Sequence, residues 1–236
     1  MIYRYFVLLV FLVSCTSSKT QTKYDKYTDI YREKPLVVLV LPPINKTTAV
    51  DAKEFYLTTI AEPLSYAGYY TLPIPVANYI LKSEGLFDSE VLTENHLKKF
   101  KEIFGVDAVL YTTLHDWTTS YYVVGGNVSV EVEFDMKSTN TYRSLWSHKA
   151  KLKVDTTVST SDSAIGNIVA TAVKTAVTDY VPIARRINNS IIEQTLPYGK
   201  YHPLVDQDRL DLVSDEIVIR PKMCLKQLLY IFASCD

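Results

Sequence analysis

The chain has 236 residues, of which 25 are Lys or Arg and 26 are Asp or Glu, so its formal charge is −1. With no basic field to draw in a polyanion, nucleic-acid binding is disfavoured. An apolar share of 47% over this length suffices for one well-packed domain.

At the N-terminus, Arg4 precedes the apolar run Phe6–Val13, far short of the roughly 20 residues a bilayer span needs. The run closes on Leu12-Val13-Ser14-Cys15, which has the order of a lipobox. Residues 1–15 therefore read as a lipoprotein signal peptide. Leu12, Val13 and Ser14 are the recognition positions for signal peptidase, and Cys15 is the expected lipidation site (diacylglycerol plus an acyl chain such as palmitate). Thr16 is not Asp, so the inner-membrane retention signal of enteric bacteria is absent. The expected address is the bacterial cell envelope, at the outer membrane and facing the periplasm. Residues 16–34 are polar without apolar periodicity and read as a tether of at most about 60 Å.

Residues 35–204 carry the expected domain. Leu36–Leu41 is an apolar run closed by Pro42-Pro43, as in a strand buried on both faces. Asp51–Ala67 has helical spacing, stopped by Gly68. Tyr69–Leu72 reads as a short strand, and Val76–Ser83 as a helix opened by Pro73 or Pro75. Thr93 can cap a helix over Glu94–Phe104, closed by Gly105. Val106–Leu114 is a second apolar strand. This alternation implies parallel strands with helical crossovers.

The middle of the chain changes period. Val128, Val130, Val132, Phe134 and Met136 alternate with Ser129, Glu131, Glu133, Asp135 and Lys137. Trp146, His148, Ala150, Leu152 and Val154 alternate with Ser147, Lys149, Lys151, Lys153 and Asp155. A hairpin centred near Asn140 and Thr141 sets Glu133 opposite Lys149, Glu131 opposite Lys151, Phe134 beside His148 and Met136 beside Trp146. Gly125-Gly126 marks a turn from a preceding strand, Thr119–Val124. Ser161-Asp162-Ser163 then caps a long helix near 163–196, which Pro182 should kink or divide. The expected fold is α/β: a single three-layer-like domain whose mixed sheet, parallel in its N-terminal part and an antiparallel meander in the middle, is covered by helices. Residues 205–236 form a C-terminal extension. Its Cys224 and Cys235 lie too far apart for a disulfide if the tail is a continuous helix.

The seven glycines form no phosphate-cradling cluster, and there is no Gly-x-Ser-x-Gly elbow. His96, His115, His148 and His202 lack metal-ligand spacing. His115-Asp116 is a conceivable base or metal pair, but neighbours on a regular strand point to opposite faces. Glu131 and Glu133 share a face, yet lysines opposite them favour a salt-bridge ladder over a carboxylate dyad. His148 is expected to fill the apolar face of the hairpin. No catalytic residue, cofactor or metal is expected, and no enzymatic activity.

Several segments taken in order carry a family resemblance: Val40-Leu41-Pro42-Pro43-Ile44-Asn45; Pro63-Leu64-Ser65-Tyr66-Ala67-Gly68-Tyr69-Tyr70; Leu81-Lys82-Ser83-Glu84-Gly85-Leu86; Phe104-Gly105-Val106-Asp107-Ala108-Val109-Leu110-Tyr111; and Leu145-Trp146. With the lipobox, and over roughly residues 36–202, they resemble the uncharacterised bacterial lipoproteins typified by a neisserial genome-derived antigen. The polar turn before Leu145-Trp146 departs from the Thr-Gly of that pattern. The resemblance implies a fold similar to the N-terminal domain of the Tol periplasmic protein and to curli-secretion and peptidoglycan-synthase-activator lipoproteins. It implies protein binding or assembly within an envelope complex. Expected partners are other envelope proteins, another lipoprotein among them, with a self-assembling subunit of a secretion or export apparatus as the alternative. An envelope hydrolase is the least favoured reading.

Overall fold

Val37–Val40 (β2) is the strand around which the protein is built. The structure is a computed structural model that describes residues 21–86, 94–122, 125–155 and 180–219. Val38 and Val40 enter one apolar cluster, Leu39 and the adjoining Leu41 another, and none is more than 1% exposed. The expected strand buried on both faces is therefore present. Asp107 fixes its entry: one carboxylate oxygen accepts from the backbone N–H of Leu36 and of Val37, each at 3.0 Å.

β2 pairs in parallel with Tyr70–Thr71 (β4) on one side and with Ala108–Tyr122 (β5) on the other. Ile44–Asn45 (β3) continues beside β5 at Thr113 and Leu114. Gly125–Ser138 (β6) and Ser144–Asp155 (β7) add antiparallel, giving the order β4-β2-β5-β6-β7. A second ribbon joins Gln21–Thr22 (β1) to Leu212–Val213 (β8). The helices are Lys23–Lys26 (α1), Thr28–Glu33 (α2), Ala52–Leu57 (α3), Ala61–Tyr66 (α4), Ile74–Ser83 (α5), Leu97–Phe104 (α6) and Tyr180–Thr195 (α7). The larger cluster packs Ile30, Tyr56, Leu64, Ile187 and Ile191 against one face of the whole sheet. On the other face, Ala77, Leu81, Leu97 and Phe100 cover Leu39, Leu41 and Val109. The mixed α/β sheet covered by helices is as expected, with three layers at its parallel end. The second face of the β6–β7 hairpin is polar, and α5 and α6 do not extend the apolar cover over it.

The hairpin register matches the alternation residue for residue: Glu131↔Lys151, Glu133↔Lys149, Phe134↔His148 and Met136↔Trp146. Leu145 is the extra residue of a bulge beside the turn. Gly68 and Gly105 end α4 and α6 with φ of +90° and +65°.

Four expectations are corrected. The tract read as tether over 16–34 is folded from Gln21 onward, and Tyr27, Ile30 and Tyr31 enter the core. The extension read from 205 is packed through its first part, with Asp208, Val213 and Ile217 buried. The single helix over 51–67 is two, α3 and α4. The Thr58 and Thr59 hydroxyls bond the carbonyls of Phe55 and Tyr56, and Pro63 has no N–H to return to Thr59. The strands read as Val106–Leu114 and Thr119–Val124 are one, β5. The signal peptide and Cys15, the Thr93 cap, the Ser161-Asp162-Ser163 cap with its helix before Tyr180, and Cys224 and Cys235 lie outside the described residues.

Candidate functional site

The polar face of the meander is shaped by one inserted residue. Leu114 opposes Val132 and Asp116 opposes Glu131, so His115 has no partner across the ladder. This β-bulge shifts the alternation: Leu114 and Trp117 both point into the core, at 0% and 4% exposure. His115 and Asp116 consequently share the outer face. The expectation that they point to opposite sides is corrected, because it assumed an unbroken pleat.

Around them lie the hairpin charges. His115 Nε2 is 2.7 Å from Glu133 Oε2. Lys149 reaches diagonally to Glu131 at 2.8 Å, and Lys151 stands 3.6 Å from both Glu131 and Asp116. The hydrogen bond from Lys149 holds the Glu131 carboxyl below its usual pKa, and the same bond raises that of Lys149. The expected ladder is thus present with its pairs redistributed, since His115 takes Glu133 and frees Lys149 for Glu131. Such pairs fix side chains rather than contribute much stability. The arrangement is an open, charge-matched plate in which every carboxylate is already engaged by a cation or imidazole, and it does not resemble an acid–base pair in a cleft. Beside it runs the outer edge of β7, which has no pairing strand among the described residues.

His148 sits on the opposite face, 3% exposed, where burial pushes its pKa down to about 4. It fills the apolar face, as expected. His202 stacks on Tyr198 with ring centres 3.7 Å apart, and His96 packs on Phe100. Among the described residues no three His, Cys, Asp or Glu side chains gather where a metal ion could bind, and no helix is long and apolar enough to cross a membrane.

A second centre was not foreseen from the sequence. Lys23, 2% exposed, donates to Asp208 at 3.3 Å and to the Leu196 carbonyl at 3.1 Å. Asp208 also accepts from Tyr31 Oη at 3.1 Å and from the Tyr198 N–H at 2.8 Å. α2 adds a further clamp: Glu33 accepts from Ser138 and Thr141, and Asp29 pairs with Arg143, so the N-terminal segment grips the β6–β7 turn. The Gly68-Tyr69 pair serves the fold: Gly199 N–H donates to the Ala67 carbonyl at 2.7 Å, and Tyr69 Oη to the Pro197 carbonyl at 2.8 Å. A cavity of about 10 Å³, room for one water molecule, lies beside Tyr31, Tyr69 and Gly199.

A family model described as "Putative lipoprotein GNA1162-like" matches residues 24–205. The resemblance read from the ordered segments is borne out, and the match reaches back into the tract read as tether. The chain is 33% identical over 127 residues to "Putative lipoprotein NMB1124/NMB1162" of Neisseria meningitidis serogroup B, covering 54% of this chain and 59% of that protein. It therefore spans about three-fifths of the length of that curated relative. Against the crystal structure of lipoprotein GNA1162 from Neisseria meningitidis the TM-score is 0.49, at 30% identity over 59% of this chain and 96% of that one. Against the LpoB C-terminal domain from Salmonella enterica it is 0.39, at 15% identity over 56% and 98%.

Proposed function

The chain belongs to the GNA1162-like family of lipoproteins, and from that premise we propose that it is a lipid-anchored envelope protein whose α/β domain binds a protein partner without catalysing a reaction. Cleavage behind Leu12-Val13-Ser14 leaves Cys15 as the lipidated first residue, and Thr16 in place of Asp favours the outer membrane with the domain in the periplasm. With residues 21–34 folded onto the body, the tether in this reading is only Thr16–Thr20.

One observation carries the binding reading. β7 is 12 residues long and, among the described residues, forms the edge of the sheet. An extended segment of a partner can add to such an edge by main-chain hydrogen bonds. Lys149, Lys151 and Lys153 line its outer face, so acidic side chains on the incoming segment fit best. A self-assembling subunit is the second reading, because β7 could pair with β7 of another copy. Antiparallel self-pairing brings the two lysine rows together, which is unfavourable. A hydrolase built on His115-Asp116 or Glu131/Glu133 has the least support, since those side chains lie on an open plate.

The test is crosslinking of the tagged, lipidated protein in cells. One dominant envelope protein captured through β7 supports the reading. Ladders of the chain alone favour self-assembly, and a lone monomer with measurable hydrolase activity overturns it.

A further inference from the structure

Leu210 and Leu212 are 82% and 64% exposed, although the backbone beside them is hydrogen-bonded to the N-terminal segment. Thr22 opposes Leu212 and Gln21 opposes Val213 in the β1–β8 ribbon. The pairing continues irregularly, with Lys23 N–H donating to the Asp211 carbonyl at 2.8 Å and Tyr24 N–H to the Arg209 carbonyl at 3.1 Å. Val213 turns into the core at 5% exposure, so Leu212 must turn out. Tyr24 is 39% exposed, with the Arg209 guanidinium 5.0 Å above its ring. Tyr24 packs on Tyr31 and under Arg209, but the packing of the described residues gives the two leucines no use.

Their position in the chain does. Gln21 stands six residues after Cys15, a span of at most about 20 Å when fully extended and shorter as a coil. A lipid on Cys15 therefore keeps Gln21, and the strand paired with it, within about 20 Å of the bilayer surface. We propose that Leu210 and Leu212, flanked by Tyr24, form a membrane-contact patch that enters the headgroup–acyl boundary of the bilayer holding the anchor. This inference rests on the lipidation of Cys15. Asp211 lies between the two leucines, and Asp25, Asp215 and Glu216 are exposed nearby in the chain, so the contact is apolar and has no preference for anionic headgroups. A lipid alone leaves a tethered domain free to tumble. A second apolar contact fixes which side faces the membrane.

The experiment uses the full lipidated chain in vesicles of phosphatidylethanolamine and phosphatidylcholine that carry a photoactivatable acyl chain, with labelled peptides mapped by mass spectrometry. Label is expected on the peptide containing residues 209–213. In the Leu210→Ser/Leu212→Ser variant it falls by about tenfold or more, and phosphatidylglycerol does not raise it. Four results overturn the patch: label confined to the anchor peptide, label unchanged in the variant, label that rises with phosphatidylglycerol and falls with salt, or capture of a second copy or another protein at 209–213 in place of lipid. The same spectra report the mass of the Cys15 peptide. A peptide without lipid defeats the anchoring reading and the patch together, whereas a lipidated peptide beside an unlabelled 209–213 defeats the patch alone.

Discussion

Lys23 and Asp208, separated by 185 positions in sequence, meet at 3.3 Å with side chains 3% and 0% exposed. The pair joins a residue near the beginning of the described chain to one near its end. It lies beneath the β1–β8 ribbon and beside Tyr31 and the Tyr198 amide, which share the same carboxylate. Removing one member strands the other charge in a buried site. Asp208→Ala is expected to lower unfolding free energy by about 3–5 kcal/mol. Lys23→Met combined with Asp208→Leu should recover part of that loss. Urea denaturation of the two variants beside wild type checks both, and a double variant worse than the single would count against the argument.

Gly68 is required by geometry. Its φ is +90°, and a Cβ there would come within 2.4 Å of the His202 nitrogen. Strain and clash act together, so Gly68→Ala should cost more than about 1–3 kcal/mol. Thermal melts against wild type measure it. The reciprocal Gly199→Ala should behave similarly, because its Cβ would meet the Gly68 carbonyl at 2.6 Å.

His148 makes stability depend on pH. Its folded pKa lies near 4 and its ordinary value near 6.5, because burial disfavours the cation. The unfolded chain therefore binds the proton first. The contribution is fully present above pH about 6.5 and is lost as pH falls toward 4, amounting to about 3 kcal/mol at most. His148→Leu should flatten the stability curve between pH 7 and 4. Denaturation at stepped pH reads this directly, and an unchanged slope would assign the acid sensitivity elsewhere.

The charged plate is predicted to matter for binding and not for folding. Lys149→Glu reverses the sign beside Glu131 on the edge strand. Its melting temperature should stay close to wild type, while recovery of the crosslinked partner falls sharply. A variant that melts early would mark the plate as structural.

Cys15→Ala should move the protein from the membrane to the soluble fraction. Fractionation of cells expressing the variant decides it, and a variant still sedimenting wholly with membranes would remove the anchor from the account.

Much of this was legible in the sequence because period-two patterning is long and clean over residues 128–154. That stretch determined both the pairing of β6 with β7 and the residues on each face. The bulge at His115 left a trace as well: Leu114 and Trp117 are three apart, which breaks the alternation. The contacts of the N-terminal segment with Asp208 and the β6–β7 turn left none. α1 and α2 are four and six residues long, too short to show a helical stripe, and their stability comes from contacts with residues 138–143 and 208. A polar tract held by distant partners looks the same as a free linker until those partners are in place.

The Lys23–Asp208 pair also sets a clock. Asp208 emerges from the ribosome 185 residues after Lys23, which at typical elongation rates is about 10–40 s. Throughout that interval Lys23 lacks its carboxylate, although Glu33 and Asp29 meet Ser138, Thr141 and Arg143 earlier. On the proposed processing at Cys15, the modifying enzymes meet the N-terminus before Lys23 and Asp208 can join. Late closure separates the order of modification from the order of folding.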